Sequence, residues 1–292
     1  MSMHTLQNDE ISISISTHGA ELKSLKDIAT GIEYLWPGDD YYWNRSSPIL
    51  FPFVGALKNK QYHYQKQTYE MGQHGFARDM EFELIEKEGD EIRFRLVSTE
   101  ETLLKYPFSF ELYVCYRIEG RKVTILWEVY NTGSDTMFFS IGAHPAFYCP
   151  NEKKASQNAS FFQFDTSGPL KSHRLNEQGL VVNKYDTYLL EDRALKINGD
   201  LFVHDALVIE GNQAQQVSLL GDDRVPYLTV DFDAPVFGLW SPPGKNAPFV
   251  CIEPWYGRCD GDGFEGSLEE REWSHNLPAG EVFKSDYSIT IL

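Results

Sequence analysis

Hydrophobic and polar residues alternate with a period of two along much of this chain. Ile11–Ser16 alternates isoleucine with serine, and Glu91–Val97 alternates apolar with charged side chains. Residues 110–118 and 123–130 form two longer segments rich in aromatic and β-branched residues. Because successive side chains of a strand point to opposite faces, this period predicts half-buried antiparallel strands.

Shorter segments of the same kind bring the predicted total to about ten strands. They lie at residues 138–141, 217–220, 228–232, 237–240, 249–253 and 287–292. The dipeptide Glu119-Gly120, between the two longest segments, predicts a hairpin connection.

Helix patterns are few and short. Residues 98–104 begin with Ser and Thr followed by acids, and this segment must stop near Tyr106-Pro107. Residues 267–271 could begin a similar short helix. Since no long amphipathic helix alternates with the strands, a parallel α/β sheet is disfavoured. We predict an all-β fold, a large antiparallel β-sandwich with only short helices.

Residues 1–292 are predicted to form a single domain. The sequence contains no low-complexity linker and no internal repeat. Residues 151–198 are polar, but Phe161, Phe162 and Phe164 among them indicate anchored loops and hairpins.

The composition excludes several classes of protein. The chain has 292 residues, of which 42% are hydrophobic, and this content excludes disorder. With 26 Lys and Arg against 43 Asp and Glu, the formal net charge is −17. An acidic surface repels phosphate backbones and anionic lipids, so nucleic acid and membrane surfaces are not expected partners.

Further features indicate a reduced, cytoplasmic protein. The four cysteines lack short paired spacing, so neither a disulfide framework nor a cysteine metal site is predicted. The polar N-terminus does not resemble a secretory signal, and no segment reaches the roughly 18 apolar residues of a membrane span.

Three short segments carry residues suited to chemistry rather than to scaffolding. The first contains His74 and Arg78, close to a predicted strand where loops often carry function. The alternative is that both simply pair with nearby acids such as Asp79 and Glu81.

The second segment places His144 directly before Pro145, at the end of an apolar run. A following proline holds the backbone extended, so the imidazole is fixed in direction. Because histidine titrates near neutral pH, such a ring suits proton transfer. The alternative is a buried core histidine.

The third segment contains Glu253, at the end of an apolar strand and before Pro254 and Trp255. Burial would raise the proton affinity of this carboxylate towards that of a general base. Proline is expected to end the ladder, and the indole could cover the C–H face of a sugar. The alternative is an ion pair with Arg258 or Arg271.

Together these segments resemble the aldose 1-epimerase (galactose mutarotase-like) superfamily, and in particular its LacX-like branch of bacterial proteins. The most specific matches are His-Gly-Phe-Ala-Arg at 74–78, Gly-Ala-His-Pro at 142–145 and Ile-Glu-Pro-Trp at 252–255. The resemblance covers nearly the whole chain. It implies a galactose mutarotase-type β-sandwich that interconverts the α and β anomers of a free aldose, with neither cofactor nor metal.

The resemblance also implies roles for individual residues. Glu253 would take the proton from the anomeric hydroxyl, and His144 would protonate the ring oxygen. His74 would stabilise ring opening, Arg78 would steady the pocket or a sugar oxygen, and Asp205 would accept hydrogen bonds from sugar hydroxyls. If its segment were extended, Asp205 and its neighbour His204 would face opposite sides.

One position departs from the family pattern. Related sequences tend to carry arginine after Phe-Pro-x-Val-Gly, where this chain has Ala56. Arg45 could supply a cation to the same pocket. The identity of the sugar therefore stays open, as does the oligomeric state.

Three alternative functions remain at this stage. The first is a hexose-6-phosphate 1-epimerase that holds phosphate with Arg45 and Arg78. The second is a non-catalytic carbohydrate-binding protein, since Trp36, Tyr41, Tyr42 and Trp43 form an aromatic cluster.

The third alternative is a metalloenzyme with His74, His144 and Glu253 as ligands. Their wide separation along the chain argues against it, because cupin-like sites usually space their histidines closely on one strand.

Overall fold

The computed structural model describes residues 2–149 and 159–292 of the chain. Within these residues it contains 24 β-strands and one α-helix, so the predicted all-β class is confirmed. The helix, α1, spans Glu100–Lys105, and single 3-10 turns lie at Lys58–Lys60, Ala77–Asp79 and Leu268–Glu270.

The strands are labelled here in chain order. They are β1 (Met3–Gln7), β2 (Ile11–Ser16), β3 (Leu22–Asp27), β4 (Ile49–Leu50), β5 (Gln61–Tyr64), β6 (Gln67–Glu70), β7 (Glu83–Glu88), β8 (Glu91–Val97), β9 (Phe110–Glu119), β10 (Lys122–Asn131), β11 (Met137–Phe139), β12 (Ile141–Ala143), β13 (Ala146–Tyr148), β14 (Phe161–Phe164), β15 (Leu170–Leu175), β16 (Val181–Tyr188), β17 (Ala194–Lys196), β18 (Leu207–Glu210), β19 (Gln216–Leu220), β20 (Pro226–Phe232), β21 (Val236–Trp240), β22 (Phe249–Tyr256), β23 (His275–Leu277) and β24 (Val282–Ile291).

Two large antiparallel sheets dominate the fold. The nine-stranded sheet has the order β17-β14-β19-β20-β24-β10-β9-β8-β7, so β7 is an edge strand. The eight-stranded sheet has the order β16-β15-β18-β21-β22-β12-β4, with β13 also paired to β22. Smaller sheets are formed by β1-β2-β3, β5-β6 and β11-β23.

The inner faces of the two large sheets share one hydrophobic core. Phe164 of β14 contacts Phe237 of β21 with ring centroids 6.4 Å apart, and Trp127 of β10 contacts Tyr256 of β22 at the same separation. These contacts confirm the predicted sandwich architecture.

Strand β22 divides its side chains between the core and the opposite face of the sheet. Val250 and Ile252 belong to the shared core. Phe249, Cys251 and Trp255 belong to two smaller clusters on the other face. The period of two therefore also turns Glu253 away from the core.

The N-terminal sheet is joined to the same core. The three isoleucines of β2 are fully buried, as their alternation predicted. Tyr116 donates a hydrogen bond of 2.6 Å from its hydroxyl to the carbonyl oxygen of Ala20, and Asp27 forms an ion pair of 2.7 Å with Arg121.

Local predictions agree with the structure at several points. Helix α1 begins after Thr99, whose hydroxyl accepts a hydrogen bond from the Thr102 backbone amide. A hairpin joins β9 to β10 as predicted, but its two loop residues are Gly120 and Arg121, because Glu119 ends β9 and pairs with Lys122. The segment 267–271 forms only one 3-10 turn, Leu268–Glu270.

Two strand predictions need correction. The segment 138–141 is divided at Ser140 between β11 and β12, which join different sheets. Strand β22 does not end at Glu253 but continues through Pro254 to Tyr256. Proline is tolerated because residues 252–254 fall between the β13 and β12 pairings, where the ladder on that side is interrupted.

The polar region 151–198 contains β14, β15, β16 and β17, although residues 151–158 lie outside the described part of the chain. Phe162 and Phe164 are buried in the core, as expected for anchored hairpins. Within the described residues, the structure has no helix with both the length and the apolarity to cross a bilayer.

Candidate active site

Glu253 lies in the middle of the eight-stranded sheet, on the face that points away from the core. Its cross-strand partner in β21 is Gly238, which has no side chain to cover the carboxylate. Glu253 is nevertheless only 1% exposed. A carboxylate this deeply buried needs a charged partner, a proton or a function.

His144 is the partner that the fold supplies. It follows β12, and Pro145 comes directly after it. The Nε2 atom of His144 lies 3.2 Å from Oε2 of Glu253. Two residues that are far apart in sequence are therefore in contact.

The alternative ion pairs of Glu253 are not formed. Arg258 pairs with Glu210 and Glu272, while Nε of Arg271 lies 2.7 Å from Oδ1 of Asp260. Apart from the contact with His144, the Glu253 oxygens have no hydrogen-bond partner among the described residues.

Burial changes the proton affinities of both members of the pair. It raises the pKa of Glu253 well above the ordinary value; the nearby Asp205 adds to the rise, and the Trp255 indole opposes it. Burial lowers the pKa of His144 to about 3; its own backbone opposes this shift, and the charges of Arg78 and Arg45 reinforce it.

These directions favour a pair that holds one proton. With the proton on Glu253, both groups are neutral; with the proton on His144, the pair is an ion pair of the same net charge. The neutral arrangement becomes the ion pair when Glu253 loses a proton and His144 gains one. Such a pair can accept a proton from one ligand atom while donating a proton to another.

His74 lies against the same site in a left-handed backbone conformation, with φ of 67°. Its Nδ1 accepts a hydrogen bond of 3.1 Å from the Gly55 amide, which assigns the remaining ring proton to Nε2. Its ring centroid is 5.7 Å from that of His144. The pKa of His74 is well below its ordinary value because of burial, followed by the charges of His144, Arg78 and Arg45.

Gly75 fixes the path of this loop. It has φ of 69°, and a Cβ at this position would overlap the Phe51 carbonyl. Any larger residue would push the loop, and with it His74, away from β4.

Arg78 and Arg45 form the cationic side of the site. Arg78 donates a hydrogen bond of 2.8 Å to the Gln73 carbonyl oxygen, and Arg45 pairs with Asp79 at 2.6 Å. Burial lowers the pKa of Arg78 to about 10, and the Arg45 charge acts in the same direction.

The predicted surface pairing of this segment is correct only in part. Asp79 lies 3.8 Å from Nε of Arg78, but Glu81 interacts with Thr17 and His18 instead.

Asp205 lies in a turn before β18 rather than in an extended segment. Its φ of 68° breaks the alternation that was expected, and His204 is exposed to solvent. The Trp240 indole donates a hydrogen bond of 2.6 Å to Oδ1 of Asp205. Burial raises the pKa of Asp205, and its charge in turn raises the pKa of Glu253.

Two tryptophans enclose His144. Trp43 stacks on the imidazole with centroids 4.6 Å apart, and Trp240 meets it edge-on at 5.4 Å. Trp43 was predicted only as part of an aromatic cluster, and Trp240 only as a strand residue. The one sequence signal for Trp240 was a large aromatic residue at a strand end.

Trp255 forms part of the floor of the site. It is 5% exposed and packs with Val54, Val208 and Val236. Little of its indole face is therefore open, and its predicted contact with a sugar stays a prediction.

Ala56 leaves its position without a cation. Its carbonyl oxygen accepts a hydrogen bond of 3.0 Å from the Asp260 amide. Arg45 is paired with Asp79, so its predicted compensating role also stays a prediction.

The proposed metal ligands are only partly brought together. Among the described residues, the one group with three closely spaced candidate ligands is His144, Cys251 and Glu253. His74 is not part of it. Sequence analysis overlooked Cys251, although a position two residues before Glu253 in a strand places it on the same face.

Comparison with known proteins identifies the family. The aldose 1-epimerase family model matches residues 2–289. The chain belongs to the aldose 1-epimerase family. Two proteins of Lactococcus lactis subsp. lactis, the plasmid and chromosomal forms of Protein LacX, each share 34% identity with this family member over 98% of both chains.

Solved structures of similar proteins agree with this membership. A galactose mutarotase related enzyme from Lactobacillus acidophilus is 35% identical in sequence and superimposes with a TM-score of 0.94. The match covers 100% of the present chain and 97% of the Lactobacillus acidophilus chain. A galactose mutarotase-like protein from Lactobacillus casei is 29% identical, with a TM-score of 0.92 over 100% of both chains.

Proposed function

We propose that the protein is an aldose 1-epimerase acting on a free hexose, with galactose or glucose as the first sugars to test. The single observation that carries this proposal is the 3.2 Å contact between His144 and Glu253 in a buried setting. It supplies a proton acceptor and a proton donor at one point, which is what opening a hemiacetal requires.

The proposed reaction starts from the ion-pair arrangement of the two residues, not from the neutral arrangement that their pKa directions favour. Ionised Glu253 takes the proton from the anomeric hydroxyl, and protonated His144 gives its proton to the ring oxygen. The bond between C1 and the ring oxygen breaks, and the open-chain aldehyde forms. After rotation about the C1–C2 bond, the two proton transfers run in reverse and close the ring on the other face of C1. Each positioned proton transfer is worth about 10²- to 10⁴-fold in rate.

The surrounding residues would hold the sugar during this exchange. His74 can donate from Nε2 to an oxygen, because its Nδ1 is already bonded to Gly55. Arg78 would contact a sugar oxygen, and Asp205 would accept from hydroxyls while Trp240 keeps the carboxylate oriented. Trp43 would offer an apolar surface to the sugar C–H groups.

A free sugar fits this site better than a sugar phosphate. Arg45 is paired with Asp79, and Arg78 donates to the Gln73 carbonyl oxygen, so both cations already have partners. Phosphate binding would have to compete with the Asp79 carboxylate. A purely binding protein has no need of a buried acid–base pair, which argues against the non-catalytic alternative.

The proposal is tested by measuring anomer exchange for glucose, galactose and glucose 6-phosphate in parallel, by polarimetry and magnetisation-transfer NMR. Glu253→Gln should lower the exchange rate at least about 10²-fold because the proton acceptor is lost. Sugar affinity, measured by titration calorimetry, should change by less than about tenfold, since the amide keeps the shape of the carboxylate.

Glu177→Gln is the control, because Glu177 is exposed and lies outside the proton pair. It should keep the wild-type rate. Wild-type exchange in Glu253→Gln would remove this residue from the mechanism, and exchange with glucose 6-phosphate alone would favour the phosphorylated substrate.

A further inference from the structure

Cys251 is a fully buried thiol that the proposed reaction does not use. It lies on β22 two residues before Glu253, and both side chains point to the same face of the sheet. Its cross-strand neighbours are Ala146 of β13 and Trp240 of β21. The thiol therefore lies within the candidate active site rather than in the core between the sheets.

Cys251, His144 and Glu253 offer three different ligand atoms in one place. A thiol sulfur, an imidazole nitrogen and a carboxylate oxygen all lie within 4.8 Å of one another. Apart from the contact between Nε2 of His144 and Oε2 of Glu253, the Glu253 oxygens and Nδ1 of His144 have no hydrogen-bond partner among the described residues. We propose that these three residues form a binding site for Zn²⁺ or a similar thiophilic divalent cation, and that the bound ion blocks the active site.

The donor set selects the class of ion. A thiolate and an imidazole suit Zn²⁺ and Co²⁺, whereas Mg²⁺ and Ca²⁺ prefer oxygen ligands. Zinc binds sulfur at about 2.3 Å and nitrogen or oxygen at about 2.0 Å, so tetrahedral ligands lie roughly 3.5 Å apart. His144 and Glu253 are already at 3.2 Å. Rotation of the Cys251 side chain closes the remaining gap of about 1 Å.

The ligands sit on backbone that is held in place. Strand β22 is paired with β21 on one side and with β13 and β12 on the other. His144 is fixed by Pro145 and by the stacked Trp43 ring. Its side chain keeps 9% of its surface exposed, which gives the ion an approach to the site. Three protein ligands leave a fourth position for water.

Binding replaces protons by the ion. The Cys251 thiol proton and the single proton of the Glu253–His144 pair pass to solvent, and the ion contacts thiolate, carboxylate and neutral imidazole. Both groups of the proton pair are then occupied. The inhibition, but not the binding, rests on the proposed epimerase function.

Cobalt is the probe for the site itself. The full chain, freed of metal by chelation, is titrated with Co²⁺ and followed by near-ultraviolet absorption, where cobalt–thiolate charge transfer absorbs. The expected result is a thiolate band that saturates at about one ion per chain and is displaced by Zn²⁺. No thiolate band would overturn the proposal.

Variants show whether Cys251 supplies the thiolate. Cys251→Ala should abolish the band, and Cys149→Ala, which removes another fully buried thiol, should leave it intact. Glu253→Gln should weaken Co²⁺ binding by about tenfold or more, because one ligand loses its charge. A band that persists in Cys251→Ala would overturn the proposal. Circular dichroism and the melting temperature of each variant check folding, and Cys251→Ser replaces Cys251→Ala if the latter does not fold.

Activity is the second readout. Zn²⁺ should inhibit anomer exchange reversibly, with activity restored by chelation, and Cys251→Ala should require at least about tenfold more Zn²⁺ for the same inhibition. Equal sensitivity of the two proteins would overturn the inhibitory role. If the chain exchanges no anomers at all, the epimerase proposal fails, and the cobalt titration still decides whether the metal site exists.

Discussion

At the scale of single residues, the site contains acidic side chains whose ionised forms are destabilised by burial. Glu253 and Asp205 are both desolvated, and the charge of Asp205 makes ionisation of Glu253 harder. A buried carboxylate that is not salt-bridged reduces the stability of the folded protein when it ionises. Buried ionisable groups with perturbed pKa values are common at functional sites, so they help to locate such a site in a structure.

Asp205→Asn should reveal this effect through pH. The folded protein holds the Asp205 proton at a pH where the unfolded chain has released it, because burial raises the pKa. The stability this provides is complete below the unfolded pKa of about 3.9 and is lost as pH rises through the folded pKa. The melting temperature of Asp205→Asn should therefore rise relative to that of the wild type as the pH is raised from 4 to 8.

Asp200→Asn is the control, since Asp200 is exposed near the same turn. Its melting temperature should track the wild type across that interval. A constant difference between Asp205→Asn and wild type at every pH would contradict desolvation of Asp205.

Site residues that lie within a distinctive sequence motif could be predicted. Site residues that only the folded structure brings close to that motif could not. His144 and Glu253 were proposed from the segments that contain them. Trp240 enters the site only because β21 and β22 pair in one particular register. Register depends on the whole sheet, so no local pattern carries it.

At the scale of elements, β21 and β22 are the strands that build the floor of the site. The Trp255 indole of β22 lies over Gly238 of β21, and a Cβ at that glycine would come within 2.5 Å of the ring. Glu253 and Trp255 lie on the same face of β22 because they are two residues apart. Gly238 has no side chain and therefore leaves room on that face for the indole.

Gly238→Ala should disturb this floor. The added methyl group must displace the indole, and overpacking of this kind costs about 1–3 kcal/mol. Urea denaturation should show the loss of stability, and anomer exchange should fall as Glu253 is displaced. Gly72→Ala is the control, because a Cβ there meets no atom within 4 Å. Equal stability of the two variants would contradict the packing described for Trp255.

The strength of each strand pattern decided whether the strand was predicted. Long alternating segments such as β9 and β10 were found, since ten residues give the period enough repeats. Strands of two or three residues, such as β4 and β12, have no period to detect. His144 nevertheless directly follows β12, and the backbone after His74 donates hydrogen bonds to the carbonyl oxygen of Phe51, directly after β4. Pro254 misled the prediction because an interrupted ladder accommodates it.

At the scale of the whole molecule, one core connects every large sheet. It contains residues of the N-terminal sheet together with both sheets of the sandwich. Separate domains would each bury their own core. This continuity supports the expectation that residues 1–292 form a single domain.

A single core predicts a single unfolding transition. Scanning calorimetry should give one peak whose calorimetric and van't Hoff enthalpies agree, and near- and far-ultraviolet circular dichroism should change together in urea. Two resolved transitions, or a midpoint that differs between the probes, would contradict the single-domain expectation.

The edge strand β7 carries a consequence for how copies of the chain meet. Its sequence, Glu-Leu-Ile-Glu-Lys-Glu, is almost wholly exposed and presents four charged side chains beside its unpaired backbone groups. An incoming strand from another molecule would have to dehydrate these charges and bring like charges close together. The nine-stranded sheet is thus protected at its β7 edge against pairing with strands of other molecules. This edge can remain unpaired without becoming a template for aggregation.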